Sequence, residues 1–487
     1  MNTGESPGFS RGRGFKEYIV AKDGTGNFTT IQAAANVARA GDIVWVKPGT
    51  YNERLIPVNQ GNETEGYIKF ISTEKHGAIL NTSALSYDYA TVRIMGKHWM
   101  WIEGFTIYPP SGEHGIATGK KVPVDYSDPY NPEYKCSSNV MIKDNYIRGQ
   151  SGNYTAIRVG GSGSGSEIYC NNHITIDGTY IDDTGHTAAA QGGPEAISIS
   201  DAEFMEIKNN TVINSSAIAL VLKSGVSNSS VHHNIIKNPG TSGIKLDTYA
   251  YATKNIDVYN NYVYGPRTDA GWSNTGIIFY SENGGITEDS PCFMEHIRLY
   301  NNLIVGLAGF GMQAGGFAVF TGSGISTIRD INIVSNTFVN NNYGGLRVLD
   351  SARNKLENVV VRNNLLKGNG GSRQDNIYKD GNIPNLVIEN NHYTNNTGAD
   401  TGLNFTTGDP MFVSTTDFHI TSSSPAKDAG ATLGSPYNVD FDGNVRPIGS
   451  AYDIGAYEYN PIPCPSLQIQ ISMSGAVPLW TLDHREE

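Results

Sequence analysis

Six short segments each end or centre on a polar residue capable of chemistry: AIRVG at 156, AISISD at 196, ALVLK at 219, GIKLD at 243, GIIFYSE at 276 and GGLRVLD at 344. Read as strands, they alternate apolar and polar side chains, so every second residue points away from an apolar interior. The outward set is then Arg158, Ser198, Ser200, Lys223, Lys245, Asp247, Tyr280, Glu282 and Arg347. If successive segments pair as neighbouring strands, Asp247 and Glu282 sit one strand apart with an offset of two residues, a Cα separation of roughly 8 Å. Two carboxyl groups facing each other across a sugar ring are the apparatus of glycoside hydrolysis, one as proton donor and the other as nucleophile or base. Phe279, Tyr280 and the loop of Trp272 should desolvate Glu282 and raise its pKa, whereas Lys245 and Lys223 should keep Asp247 ionised. Trp272, Tyr249, Tyr251 and Tyr280 offer rings that can stack on sugars. The expected substrate contacts are Lys245, Tyr249, Trp272, Tyr280, Arg158 and Arg347.

The same residues support a second chemistry. β-Elimination from a uronate needs a base and a cation to neutralise the carboxylate. Lys223 or Lys245 would serve as base, and Arg158 or Arg347 as charge partner. Asp182, Asp183, Glu195 and Asp201 would form a calcium site of hard oxygen ligands in that case. A hydrolase would need no cofactor. DFDGN at 440 resembles part of a calcium loop but lacks the downstream Glu. A carbohydrate-binding solenoid without catalysis is a third reading. His186, His232, His233 and His296 are isolated and read as structural or surface residues.

What would hold these segments in line is an internal repeat. A short apolar strand with Asn in its turn recurs in VMIKDNYIRG, IYCNNHITI, IKNNTVIN, VHHNIIKN, VYNNYVYG, LYNNLIVG, IVSNTFVN, VRNNLLKG and IENNHYT. The last Asn of each is Asn145, Asn172, Asn210, Asn234, Asn261, Asn302, Asn336, Asn364 and Asn391. The period lies in the middle twenties with insertions, the pattern of a solenoid. The fold class expected is all-β: a right-handed parallel β-helix of about ten coils, with the Asn side chains forming an amide ladder in the turns. The 56 glycines and the low charged fraction of 17% suit many tight turns rather than long helices.

The opening YIVAKDGTGNFTTIQAAANVARAGDIVWVKPGTYNERL reads as strand, turn, helix (Ile31 to Ala38) and strand. It resembles the N-terminal cap of the pectate-lyase-like β-helix superfamily, and the closing pieces GDPMFV, DFHITSSSPAKDAG, DFDGNVRP and DIGAYEY resemble the end of the same bacterial superfamily. That resemblance covers about 16–459 and implies fold more than activity, since the fold hosts many chemistries. The region GIKLDTYAYATKNIDVYNNYVYG with NTGIIFYSENGG is similar to the active-site region of the glycoside hydrolase family 120 β-xylosidases. By that match Asp247 would be the nucleophile and Glu282 the acid/base. The chain departs from that family in lacking its inserted β-sandwich and in a longer Asp-to-Glu interval through PRTDAGWSN. The opening also resembles pectin methylesterases, but their two-aspartate motifs are absent.

The expected organisation is an N-terminal tail at 1–15, the β-helix with its helix cap at 16–400, a C-terminal cap at 401–459 and a tail at 460–487. With 47 acidic against 35 basic residues and a net charge of −12, no basic stripe for nucleic acid is visible. No apolar run is long enough for a membrane span. Four scattered cysteines form no CxxC pair, and at this size a disulfide framework is not required. The expected partner is a poly- or oligosaccharide bound by a monomer. The stretch from Met1 to Gly14 lacks a signal-peptide core, but an extracellular or periplasmic location is expected from the resemblance.

Overall fold

The computed structural model describes residues 14–86, 88–119, 136–148, 155–160, 171–182, 195–248, 251–265, 274–280, 293–314, 326–351, 354–370, 377–394 and 402–461. Both expected tails therefore fall mostly outside the described residues. Within them the chain winds as a parallel β-helix. A 22-stranded sheet holds two strand positions per coil and a 13-stranded sheet holds one. One coil reads Ser242–Asp247, Thr253–Tyr259 and Tyr262–Tyr264; the next reads Thr275–Tyr280, Phe293–Tyr300 and Leu303–Val305. These strands pair in parallel, coil upon coil. The 13 strands of the smaller sheet mark more coils than the ten expected. The early coils escaped notice because Ala78 and Phe105, both buried, occupy the turn position that Asn145 fills later.

Alternation drives the winding. Leu220, Ile244, Ile277, Met312 and Leu346 lie in register on successive strands, and all are at most 1% exposed. They belong to one apolar cluster running from Val20 to Tyr393. Each fully buried aliphatic of this kind contributes roughly 1.5–3 kcal/mol.

The turns are closed by the amide ladder. Asn210 Nδ2 donates to Asn234 Oδ1 at 3.0 Å, and the chain of bonds continues through Asn261, Asn302, Asn336 and Asn364 to Asn391. Each buried amide thus finds donor and acceptor partners in the neighbouring coils. Asn172 is not part of it. Tyr146 pairs with Tyr180, so Thr179 occupies that turn, and its backbone N–H reaches Asn210 Oδ1 at 3.0 Å. The Asn171–Asn172 doublet belongs to another corner, where buried Asn171 binds Ser137 N and Asp201 O.

A seven-residue helix spans Ile31–Val37, one residue shorter than expected. Thr30 Oγ1 caps it by accepting from Ala33 N, and the Glu53 carboxylate accepts from Ile31 N and Gln32 N. Its buried Ile31, Ala34 and Ala35 join the main core.

Thr406–Thr407 adds a last strand to the smaller sheet. The chain then turns back along the flank as a strap. Phe418, Ala456 and Tyr457 pack on Leu303 and Val339, while Ile420, Ala426 and Ile454 pack on Leu365. These are the outward side chains of the smaller sheet. Four turn asparagines hold the strap: Asn390, Asn363, Asn301 and Asn260 donate to the carbonyls of Ala429, Ala431, Val439 and Phe441. The DFDGN segment organises this strap. Asp440 accepts from the N–H groups of Asp442, Asn444 and Glu458 and from Asn444 Nδ2, so its carboxylate is taken up by protein donors rather than by a cation.

His419 bridges two strap carboxylates, with Nδ1 2.5 Å from Asp417 and Nε2 2.6 Å from Asp442. Burial opposes its protonation, but the hydrogen bonds and charges of Asp442 and Asp417 prevail and raise its pKa to about 9. The folded chain therefore holds a proton that the unfolded chain releases near pH 6.5. This stabilisation is complete below pH 6.5, declines from there and is lost above about 9. Wild type should exceed His419→Asn in stability by about 1 kcal/mol at pH 6, a figure reduced for solvent screening. The difference should vanish near pH 9.5 when melting is followed across that range; a gap that stays constant with pH would refute the bridge.

Candidate functional site

The face bearing Asp247 is singled out by its borders. Connections between the other strand positions are tight, with two residues between Thr253–Tyr259 and Tyr262–Tyr264. Several of those leading into or out of the Asp247 face are long, with 12 residues before Glu195–Glu203, 10 before Thr275–Tyr280, 12 after it and 11 after Phe310–Ala314, whereas the strand of Asp247 itself is joined by four residues before and five after. Long loops on a rigid scaffold are where binding groups concentrate.

The register confirms two outward rows on this face. One runs Arg158, Ser198, Val221, Lys245, Ile278, Gln313, Arg347 and Tyr378. The other includes Ser200, Lys223, Asp247 and Tyr280. Although these side chains point away from the core, several are shielded: Ser198 is 2% exposed, Lys245 5%, Asp247 1% and Gln313 4%. Charged groups are rarely so buried unless paired. These side chains form the floor of the Asp247 face. Its strands open on glycine for a packing reason. A Cβ on Gly276 would strike the Gly311 carbonyl, and one on Gly243 would lie 2.5 Å from the Gly276 carbonyl.

The charges on the floor are organised. Lys245 Nζ lies 3.0 Å from Asp247 Oδ2 and 4.7 Å from the centre of the Tyr280 ring. Lys245, expected to contact substrate, is thus a fixed neighbour of Asp247. The backbone of Asp247 is anchored as well, since its carbonyl accepts from Thr253 Oγ1 at 2.7 Å. Lys223 pairs in register with Asp247, but its ammonium donates to both oxygens of Glu195, at 2.6 and 2.8 Å. A lysine held in this ion pair is poorly placed as a free base.

Of the four carboxylates expected to hold calcium, three are among the described residues. Asp182 lies on Tyr180–Asp182 of the smaller sheet. Glu195 and Asp201 stand at opposite parts of one strand, six residues or about 20 Å apart. Glu195 serves Lys223 instead, and Asp201 sits at a register shift, 9% exposed with φ of 49°. Asp183, Tyr249, Trp272 and Glu282 lie outside the described residues, so the geometry of an Asp247–Glu282 pair is not described. Tyr280, opposite Asp247, is the register neighbour two residues before Glu282. Arg158 and Arg347 lie on the floor three strands to either side of Lys245, about 14 Å away in each direction. They therefore flank Asp247 rather than adjoin it.

Two floor residues were missed. Gln313 comes from GMQAG and Tyr378 from NIYKD; the glycine-led pattern of the former was visible, but neither segment carried a charge at the aligned position. Arg347 stacks between Phe310 and Tyr378, with its guanidinium 5.5 and 5.3 Å from the ring centres. At the other end, burial first and Arg158 second push the pKa of His114 down to about 4, which keeps it neutral.

Away from the floor, Glu295, His296 and Asp330 bring potential ligand atoms within 4.8 Å of one another. Arg329 already donates two bonds to Glu295, and Asn358 donates to Asp330. Cys136 is disulfide-bonded to a residue outside the described set, a link not expected from the spacing. Among the described residues no helix is long and apolar enough to cross a membrane.

Comparison with known proteins agrees with the architecture. The structure of XylC in complex with xylose superposes with a TM-score of 0.57 at 12% identity, covering 91% of this chain and 98% of that one. Pectate lyase Pel9A gives 0.45 at 14% identity over 92% and 98%. The A-module of the Azotobacter vinelandii mannuronan C-5 epimerase AlgE4 gives 0.44 at 13% over 78% and 88%. The likeness to XylC shows a shared fold. An uncharacterized Bacillus subtilis (strain 168) protein, YwoF, is 24% identical over 357 residues, covering 70% of this chain and 64% of that protein. The matched stretch thus spans less than two thirds of that relative. No family model matches the chain.

Proposed function

We propose that the protein is a carbohydrate-active enzyme that cleaves glycosidic bonds at the face bearing Asp247. Asp247 would act as nucleophile and Glu282 as acid/base. The observation that carries this reading is a carboxylate, 1% exposed, held 3.0 Å from Lys245 on a floor bordered by several long connections. The fold shared with the xylose complex of XylC supports a sugar substrate. Hydrolysis is favoured over elimination because Lys223 is engaged by Glu195 and the carboxylates suggested for calcium are dispersed. No cofactor is needed in this mechanism. The helix Ile31–Val37 would close the N-terminal end of a right-handed coil. The disulfide at Cys136 supports an oxidising, extracytoplasmic location for a monomer.

The test is the product. Incubation with neutral and uronic glycans should release reducing ends without the ultraviolet absorbance of an unsaturated uronide, and chelation of calcium should leave the rate unchanged. Absorbance that grows with cleavage, abolished by chelator, would establish a lyase in its place. Binding to a glycan with no product at all would point to the carbohydrate-binding reading.

A further inference from the structure

At one end of the floor, a cation stands without a counter-charge. Arg158 occupies the same outward row as Lys245, three strands away. The charges around it are already matched: Glu195 binds Lys223, and Glu113 binds Arg54 at 2.6 Å. His114, the titratable group that senses Arg158, is neutral. Among the described residues, Arg158 makes no ion pair or hydrogen bond, and its Nε is buried without a partner. Leaving a donor of a charged group unsatisfied is costly, so such a site is most stable when a ligand completes it.

The surroundings leave room for that ligand. Arg158 is flanked in register by Ala117 and Ser198, both small. Beside them, Gly119, Gly160 and Ser200 stack closely. Gly160 has φ of 110°, and a Cβ there would collide with the Ser200 hydroxyl. Glycine is required on both conformational and steric grounds. Ser198 and Ser200 are 2% and 9% exposed, and neither hydroxyl is hydrogen-bonded among the described residues. The Arg158 side chain and the two hydroxyls therefore lie on adjacent strands of one face.

We propose that Arg158, Ser198 and Ser200 form a subsite for a sugar carboxylate, so that the substrate is an acidic glycan. Arginine binds carboxylates through two parallel hydrogen bonds, and the serine hydroxyls can donate to the same oxygens. The subsite lies about 14 Å along the groove from the strand of Lys245 and Asp247. It therefore selects a residue distant from the bond that is cleaved. This inference rests on the reading of the Asp247 face as a glycan groove and names the class of glycan that it takes.

The test measures affinity rather than turnover. Oligosaccharides of galacturonate, mannuronate and glucuronate, each intact and after reduction of the carboxyl groups, are titrated calorimetrically into the full chain, Arg158→Leu and Arg158→Lys. Wild type should prefer at least one acidic chain over its reduced form. Arg158→Leu should weaken that acidic chain about 10- to 100-fold and leave the reduced chain unaffected, with Arg158→Lys intermediate. Ser198→Ala with Ser200→Ala provides a second arm should Arg158→Leu not fold, with a smaller loss confined to the acidic chain. Equal affinity of wild type for acidic and reduced chains, or an equal loss of both in the variants, would overturn the subsite while sparing the glycan groove. No binding of any glycan would overturn both.

Discussion

Asp247→Asn is expected to lower glycan cleavage by about 10³-fold or more while retaining binding, because the amide keeps the shape but loses the nucleophilic charge. The same change should be felt in stability. Lys245 and Asp247 are 7% and 1% exposed at the side chain, and removal of one partner strands a buried charge. Breaking such a pair costs about 3–5 kcal/mol. Adding Lys245→Met should recover much of that loss without recovering activity, since an apolar pair of similar volume avoids the desolvation penalty. Denaturant melts and initial rates on the three proteins separate the two effects. An Asp247→Asn protein that cleaves at the wild-type rate would remove Asp247 from the mechanism, whatever its stability.

Glu458→Ala is expected to release the strap. Arg446 and Glu458 are both fully buried, with Nη1 2.8 Å from Oε1. Arg446 also donates to the carbonyls of Asp453, Gly455 and Ala456, and Glu458 accepts from Asp453 N and Ile448 N. Loss of the carboxylate would leave a buried guanidinium without the charge it pairs with and two backbone N–H groups unpaired, again about 3–5 kcal/mol. Hydrogen exchange should quicken across 409–459 and on the outer face of the smaller sheet. Binding of glycan on the Asp247 face should persist, because that face belongs to the other sheet. Unchanged protection across the strap would show that the ion pair does not hold it.

The floor was legible in the sequence because a period of two leaves little freedom: once Ile244 and Leu246 face inward, Lys245 and Asp247 must face out. The ladder from Asn210 to Asn391 was legible for the same reason, one amide per coil at one corner. Asn172 misled because an Asn–Asn doublet also suits a second corner, and only the pairing of Tyr146 with Tyr180 shows which corner a residue occupies. The ion pair of Glu195 with Lys223 was not visible, since the two stand five register positions apart: Glu195 faces Ile218, whereas Lys223 faces Ser200. Nearness in sequence also does not say which sheet a carboxylate joins, as Asp182 shows. The strap has no period at all. Its path depends on contacts such as Arg446 with Asn301, 145 residues apart, which no local pattern encodes.

The strap also changes how the molecule comes apart. In a solenoid, each coil is coupled chiefly to its neighbours, and the stack frays from a free end. Here the coils from Asn260 to Asn390 are riveted to one returning segment. Peeling away the last coil would break its hold on that segment and expose Phe418 and Ile420 together with the strands beneath them. The C-terminal half must therefore yield as a single cooperative block. Among the described residues the coils before Asn260 lack these four hydrogen bonds, so heat or force should open the stack from their side rather than from the C-terminal tip.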